Sequence, residues 1–226
     1  MRKSNSQKNR NASFIVRASI AALLLTLSLC LIPMQASATL VTSNSDAGAD
    51  SLRDAITNTS AGGTITFSGD MTITLDSQLT VDKNMTFDGG SNNITISGGG
   101  ITRIFSISSG VSAAFRNLTI SNAYSNGGSG IRVAASASAS VRNCTFSGNQ
   151  ATGNGGALRV NGGGSTATIE NSTFVNNSAL RGGAIDNDWA GGMTIRNSTF
   201  VGNTASSEAG TIRTNTSNLT IENCTF

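Results

Sequence analysis

Two acidic residues and the single tryptophan of the chain stand together in the segment Asp186-Asn187-Asp188-Trp189. Paired carboxylates are the catalytic groups of most glycoside hydrolases, whereas polysaccharide lyases use bound Ca²⁺ with an arginine or lysine base. Arg159 precedes Asp186 by 27 residues, and a tryptophan offers a flat face on which a sugar ring can stack. We therefore take Asp186, Asp188 and Arg159 as candidate catalytic residues.

Three arginines form a candidate ligand face together with Trp189. Arg132 and Arg159 are 27 residues apart, and Arg213 follows Arg159 by twice that interval. Each of them follows an apolar residue, so alternation along a strand would place the three side chains on one outer face. A solvated face with one acidic turn explains the same residues, and we favour it over catalysis. Asp-x-Asp alone occurs too freely to predict a metal site, and we predict no metal ion and no cofactor.

The composition excludes several kinds of chemistry. The 226 residues contain no histidine. Without imidazole there is no Ser-His-Asp or Cys-His nucleophile, no histidine general base and no histidine metal ligand.

The first 38 residues have the pattern of a secretory signal peptide. Five basic residues precede or enter an apolar run over residues 18–32, and the small-x-small tripeptide Ala36-Ser37-Ala38 follows it. The run is 15 residues long, which is short of the ~20 that a membrane-spanning helix needs. We therefore predict that residues 1–38 are removed on export and that the mature chain begins at Thr39.

The net positive charge of the whole chain comes from the basic residues of this signal peptide. The whole chain has 15 basic and 12 acidic residues, and residues 1–38 hold five of the basic ones and none of the acidic ones. The remaining 188 residues therefore carry a net charge of −2 and a single lysine, Lys83. The mature chain has too few basic residues to form a surface that binds nucleic-acid phosphates, so nucleic-acid binding is excluded.

The mature chain repeats itself with a period of 26 to 28 residues. The tetrapeptide Asn-Ser/Cys-Thr-Phe occurs four times, with steps of 28, 26 and 26 residues. Its asparagines are Asn143, Asn171, Asn197 and Asn223, and its first three aromatic residues are Phe146, Phe174 and Phe200. A second column, with steps of 27, runs through Ile131, Leu158, Ile185 and Ile212. A fixed period of this length is the signature of a solenoid.

Each period contains short runs of β-branched, aromatic and Thr residues separated by Gly, Asn and Ser, without helical periodicity. A chain that winds once per period lays each strand beside its own copy, ~4.8 Å away. The sequence therefore predicts an all-β fold, a parallel β-helix whose columns are ladders of like residues.

Parity along the strands locates the corners of this solenoid. Ile169 and Phe174 should both face the core, yet they are five residues apart, so the chain must bend between them. Asn171 fits the bend because asparagine tolerates the left-handed conformation and its amide can bond to the next coil. By the same reasoning a second corner column, also of structural importance, consists of Asn149, Asn177 and Asn203.

Cys144 and Cys224 occupy the same repeat position three coils apart. That separation is roughly 14 Å at the interstrand spacing, and a disulfide needs Cα atoms within about 7 Å. We therefore predict that these two cysteines do not pair with each other.

A solenoid must cover its apolar core at both ends. Residues 39–61 are predicted to form the N-terminal cap, with a short helix that buries Leu52, Ala55 and Ile56 behind Asp50 or Ser51 as N-cap. The repeats are predicted over residues 62–226. The chain stops at Phe226 within a repeat, so we expect further sequence to follow in the full protein.

Two groups of motifs carry a family resemblance. Ser51-Leu52-Arg53-Asp54-Ala55-Ile56 resembles the Ser-Leu-Arg-Glu-Ala-Ile opening segment of bacterial secreted β-helix proteins, with Asp54 in place of the usual Glu. The coils resemble those of the polymorphic outer membrane protein family, whose paired signatures are Gly-Gly-Ala-Ile and Phe-x-x-Asn. The matching segments are Gly155 to Leu158, Gly182 to Ile185, Phe146/Asn149, Phe174/Asn177 and Phe200/Asn203.

The resemblance implies a right-handed parallel β-helix that serves as a surface-exposed or secreted passenger domain associated with adhesion. It implies a partner that is a host or cell-surface protein or a glycan, and a location outside the cell or on the cell outer membrane. Membrane association would then depend on a C-terminal region that this sequence lacks. A polysaccharide lyase or glycoside hydrolase acting on an acidic polysaccharide and an inert envelope stalk are the alternatives.

Overall fold

A computed structural model describes residues 38–188, 191–215 and 218–226. The predicted signal peptide therefore lies outside the described residues except for Ala38, and Trp189 lies outside them as well.

The described residues form a parallel β-solenoid whose coils pass through four sheets in turn. The eight strands of sheet 1 delimit about seven turns, and the pairings between neighbouring strands of the described residues are parallel. The predicted all-β solenoid is thus confirmed. Sheet 1 contains β1 (Ala38–Val41), β2 (Gly63–Phe67), β5 (Met85–Asp88), β8 (Ser112–Arg116), β12 (Ser138–Arg142), β16 (Thr166–Glu170), β20 (Gly192–Arg196) and β24 (Leu219–Glu222).

The other three sheets complete each coil. Sheet 2 contains β3 (Met71–Thr74), β6 (Ile94–Ser97), β9 (Leu118–Ser121), β13 (Thr145–Ser147), β17 (Thr173–Val175) and β21 (Thr199–Val201). Sheet 3 contains β10 (Tyr124–Gly127), β14 (Gln150–Asn154), β18 (Ser178–Arg181) and β22 (Thr204–Glu208). Sheet 4 contains β4 (Leu79–Val81), β7 (Phe105–Ile107), β11 (Ile131–Val133), β15 (Leu158–Asn161), β19 (Ile185–Asp188) and β23 (Ile212–Thr214).

The core is a set of stacked like residues. Phe146, Phe174 and Phe200 are buried, with ring centroids 4.7 and 4.9 Å apart and interplanar angles of 0° and 10°. Phe226 continues the stack at 5.0 Å from Phe200. These distances match the interstrand spacing, because in-register pairing places each ring above its copy in the previous coil.

A short helix, α1 (Leu52–Asn58), covers the first coil with Leu52, Ala55 and Ile56 buried. Ser51 is its N-cap, since the Ser51 hydroxyl accepts the Asp54 N–H at 3.2 Å. The predicted cap segment also contains most of β1, which pairs with β2 and buries Val41. Sheet 1 therefore begins before the predicted start of the repeats at residue 62, in a strand too short to show the repeat motifs.

The corner asparagines divide into two kinds. Asn143, Asn171, Asn197 and Asn223 have φ between 50° and 54°, the left-handed conformation that the parity argument requires. At the second corner the left-handed residue stands one position before the expected asparagine, at Gly148, Asn176 and Gly202. This differs from the prediction, because Asn149, Asn177 and Asn203 lie at the corner but use their side chains rather than their backbone conformation.

The first strand of sheet 3, β10, lies further along the chain than the first strands of the other sheets. No earlier strand of the described residues pairs with it, so β10 is an edge strand of sheet 3. The Arg103 guanidinium lies on this edge. Its Nη2 donates to the Gly127 carbonyl at 2.9 Å, and its Nε donates to the Gly128 carbonyl at 3.1 Å. These bonds satisfy carbonyl groups at the end of an edge strand, which is one way in which proteins protect sheet edges.

Candidate functional site

The candidate site lies on the outward face of sheet 4. Its strands pair in register, so one outward position forms a continuous column. In chain order that column contains Thr80, Ser106, Arg132, Arg159, Asp186 and Arg213. The 27-residue spacing in the sequence thus becomes adjacency along the solenoid, with neighbours one strand apart.

Asp186 is enclosed between two arginines. Its side chain is 0% exposed, Arg213 Nη1 donates to Oδ1 at 2.8 Å, and Arg159 Nε donates to Oδ2 at 3.3 Å. Burial raises the pKa of Asp186 above its ordinary value, while the hydrogen bond and charge of Arg213 and the charge of Arg159 oppose this shift. Because both oxygens are engaged and shielded from solvent, Asp186 is poorly placed to act as a general base or nucleophile.

Asp188 and Glu208 extend the cluster towards sheet 3. Asp188 carboxylate oxygens lie 3.6 Å from Arg213 Nη1 and 4.0 Å from Arg159 Nη2. Glu208 pairs with Arg213 Nε at 3.2 Å and with Arg181 Nε at 3.6 Å. Three arginines therefore face three carboxylates, and this part of the cluster is electrically balanced.

The glycine-rich corner explains why the cluster is buried. Gly182 has φ +59°, and a Cβ at this position would overlap the Ile185 carbonyl oxygen and lie 3.1 Å from Arg213 Cβ. The Gly-Gly-Ala-Ile segment thus supplies a left-handed turn and brings its backbone against the stem of Arg213.

Arg132 and Arg103 differ from the three arginines of this cluster that are paired with carboxylates. Arg132 is partly buried and makes no ion pair or side-chain hydrogen bond with any residue that the structure describes. Arg103 also bonds Gln78 Oε1 at 2.7 Å, but it has no carboxylate partner among those residues. Burial lowers the pKa of Arg103, and the positive charges of Arg132 and Arg159 lower it further.

The structure brings most of the sequence-predicted site residues together. Arg159, Asp186, Asp188 and Arg213 form one cluster, and Arg132 lies one strand from Arg159. Arg103, Arg181 and Glu208 were not predicted as site residues from their spacing. Arg181 and Glu208 end strands of sheet 3, and Arg103 precedes β7, so none of the three belongs to the 27-residue column.

The second corner column forms a buried amide ladder. Asn149 Nδ2 donates to Asn177 Oδ1 at 2.9 Å, and Asn177 Nδ2 donates to Asn203 Oδ1 at 2.9 Å. The same amide groups also donate to the carbonyls of Ile120, Phe146 and Phe174. At the first corner, Asn143 Nδ2 donates to Asn117 Oδ1 at 3.2 Å. These bonds give both columns a structural role.

The described residues contain neither a metal-binding cluster nor a disulfide. Within the described ranges, no group of three or more His, Cys, Asp and Glu residues could hold a metal ion. Cys144 and Cys224 are both free. No helix of the described part of the chain is long and apolar enough to cross a membrane.

Comparison with known proteins assigns the class. Four parallel sheets joined coil by coil define a β-helix, and residues 103–226 match the family described as "Right handed beta helix region". The match covers more than half of the chain, so the protein belongs to the right-handed β-helix family. A comparison with curated proteins found none that matches this chain.

Proposed function

We propose that the protein is a secreted or cell-surface structural and adhesion module that presents its β-helix faces to a partner. The partner would be a host or cell-surface protein, a glycan or a neighbouring cell. The observation that carries this proposal is the rigid outward column of sheet 4, where in-register strands hold polar and charged side chains at fixed spacing. Arg159, Asp186 and Arg213 in this column are already held by ion pairs, so binding there would not require these three side chains to be ordered first.

The contacts of Asp186 favour binding over catalysis. Both of its oxygens are taken by arginines, and Asp188 is shared between the same two arginines. Catalytic residues must be free to approach the substrate. The three candidate catalytic residues, Arg159, Asp186 and Asp188, are instead committed to ion pairs within this cluster.

The proposed location rests on the sequence. The basic start, the apolar run and the small-x-small tripeptide of residues 1–38 support export. The resemblance of the coils and of the Ser51 to Ile56 segment to polymorphic outer membrane and other secreted β-helix proteins supports a place outside the cell or on its outer surface. Expression of the full chain in a bacterium, followed by N-terminal sequencing of the exported product, tests this proposal. Thr39 is the expected first residue, and an unprocessed product retained in the cytoplasm would contradict export.

The adhesion proposal is tested with beads coated with the purified chain. We expect the coated beads to be retained on cells or on a glycan panel, and beads coated with thermally unfolded chain to be released. The same preparation is incubated with pectin and alginate. Failure to bind any cell or glycan would favour an inert stalk, and depolymerisation would favour the enzyme; either result overturns the proposal.

A further inference from the structure

We infer that Arg132, flanked by Arg103 and Arg159, forms an anion-binding site that takes the oxyanion groups of a linear polyanionic glycan. This inference rests on the proposed binding function and names the chemistry of the ligand. The shared chemistry is that of carboxylate and sulfate groups, each of which can accept several N–H bonds from guanidinium groups.

Charge balance divides the sheet 4 cluster into two parts. Arg159, Arg181 and Arg213 face three carboxylates and form the balanced part. Arg132 and Arg103 follow towards the N-terminus, and neither has an acidic partner in the described ranges. This second part therefore carries an uncompensated charge of two on a small area, which attracts anions.

The two flanking arginines are held in place by the fold. Arg103 is fixed by the Gly127 and Gly128 carbonyls, and Arg159 is fixed by Asp186. Arg132 lies one strand from Arg159 and keeps its guanidinium free. Ser106 and Thr80 continue the column on the other side of Arg132, and their hydroxyl groups are further hydrogen-bond donors.

The like charges in this part of the molecule oppose one another. Burial, and after it the charges of Arg132 and Arg159, lower the pKa of Arg103, so the two neighbouring arginines add to the destabilisation of its charged form. Because neither Arg103 nor Arg132 has a carboxylate partner among the described residues, a bound oxyanion would relieve this repulsion.

The surroundings of Arg132 favour a glycan over a protein partner. The binding energy of protein interfaces concentrates in Trp, Tyr and Arg anchors that fill well-packed, desolvated pockets, whereas the column from Thr80 to Arg159 consists of threonine, serine and arginine on the outward face of a sheet. Tyr124, which is 43% exposed, stands one residue before Ser125, whose hydroxyl lies 3.5 Å from Arg103 Nη2. Tyr124 thus offers an exposed aromatic ring in the strand whose last carbonyl Arg103 contacts, and such rings can stack on sugars.

The charge distribution disfavours a long nucleic acid. Residues 38–102 hold seven acidic and two basic residues, whereas residues 103–226 hold five acidic and eight basic residues. A polyanion of any kind that extended along the whole solenoid would meet a net charge of −5 in its first turns, so the ligand contacts the protein through a short run of charges near Arg132 rather than through a long phosphate backbone.

The test measures binding of the full chain to immobilised heparin, to polygalacturonate and to neutral dextran at low salt. Arg132→Gln removes one charge without breaking any described bond, so this variant should fold normally. Arg116→Gln is the matched control, because Arg116 is an exposed arginine of β8 that also makes no described ion pair and its loss changes net charge equally. We expect Arg132→Gln to weaken binding to the polyanions by about tenfold or more, Arg116→Gln to change it less than about twofold, and dextran not to bind.

The two polyanions distinguish the source of the oxyanion. Binding to heparin alone assigns the site to sulfate, and binding to both polymers assigns it to carboxylate as well. Equal loss in the two variants, or tighter binding to single-stranded DNA than to either polymer, would overturn the inference. Retention of the chain on cells without polyanion binding would also overturn it while leaving the adhesion proposal intact.

Discussion

At the scale of single residues, the first two positions of the repeated Asn-Ser/Cys-Thr-Phe tetrapeptide form the corner of each coil. The asparagine turns the chain, and Ser172 Oγ donates to the Glu170 carbonyl at 2.8 Å while accepting the Cys144 N–H at 3.2 Å. Cys144 occupies the same position with its thiol 3.3 Å from the Arg142 carbonyl. A hydroxyl or a thiol therefore serves the same corner, but the two groups differ in acidity.

Cys144 should make the stability of the protein depend on alkaline pH. Burial raises the pKa of Cys144 from its ordinary 9.0 to about 11. The folded state therefore disfavours the thiolate, and the free energy of unfolding should be unaffected below about pH 9 and fall by about 2–3 kcal/mol as pH rises towards 11.

Urea unfolding at pH 8 and pH 11 measures this dependence in the parent and in Cys144→Ser. The variant is a matched control because serine stands at the equivalent positions 172 and 198. We expect its loss of stability over this pH range to be smaller, and an identical loss in both proteins would contradict the assignment.

Asn177 should contribute strongly to stability through the buried amide ladder. Its Oδ1 accepts both the Asn149 backbone N–H, at 3.0 Å, and Asn149 Nδ2, and its own Nδ2 donates to the Phe146 carbonyl at 3.1 Å. Asn177→Ala leaves these buried groups unsatisfied, so we expect a loss of roughly 2–4 kcal/mol in the free energy of unfolding.

The control for this substitution is Asn44→Ala, which truncates an exposed asparagine with no described side-chain bond. Urea denaturation of the two variants gives the comparison. A loss in Asn177→Ala no larger than in the control would show that the ladder is replaceable by water.

At the scale of elements, the glycine corner between β18 and β19 joins sheet 3 to the charged column of sheet 4. Gly182 takes a left-handed conformation there, and its backbone lies against the Ile185 carbonyl and the Arg213 stem. The corner therefore fixes both the path of the chain and the burial of the ion pairs.

Replacing Gly182 by alanine should be strongly destabilising. The left-handed conformation and the overlap of the new Cβ with the Ile185 carbonyl together predict a loss of about 2–5 kcal/mol. Gly163→Ala is the control, because a Cβ at Gly163 meets no atom within 4 Å. Thermal unfolding followed by circular dichroism compares the two, and similar melting temperatures would show that the corner tolerates a side chain.

The columns of like residues could be predicted from the sequence, because residues that are one period apart in an in-register solenoid lie side by side on neighbouring strands. Ile131, Leu158, Ile185 and Ile212 are paired one to the next, as their 27-residue steps indicate. The contacts of Asp186 with Arg159 and Arg213 follow from the same 27-residue period, whereas Glu208 reaches Arg213 from a neighbouring sheet and could not be predicted from that period. A contact that depends on the reach of a side chain across a corner does not recur at a fixed spacing in the sequence.

At the scale of the whole molecule, each coil is bonded only to the coils before and after it. The stability of such a protein is approximately a sum of coil terms and interface terms. Sequence changes that remove one complete winding should therefore preserve the fold, and changes that remove part of a winding should not.

Deletion of residues 144–171 tests this expectation, because it joins Asn143 to Ser172 and restores the tetrapeptide. It would stack Phe174 beneath Ile120, the partner of Phe146, and would place Arg132 beside Asp186. We expect cooperative thermal unfolding at a lower temperature than that of the parent. Deletion of residues 144–157, half of that length, should abolish the cooperative transition, and survival of both transitions would contradict in-register coupling.

The position of Arg103 on the edge of sheet 3 bears on solubility as well as on recognition. A bare parallel edge can recruit an extended segment of another molecule and so start sheet-by-sheet polymerisation. With the Gly127 and Gly128 carbonyls occupied by one guanidinium, such growth has no free acceptors at that point. A substitution at residue 103 would therefore promote amyloid-like aggregation of concentrated protein even where each single molecule still folds.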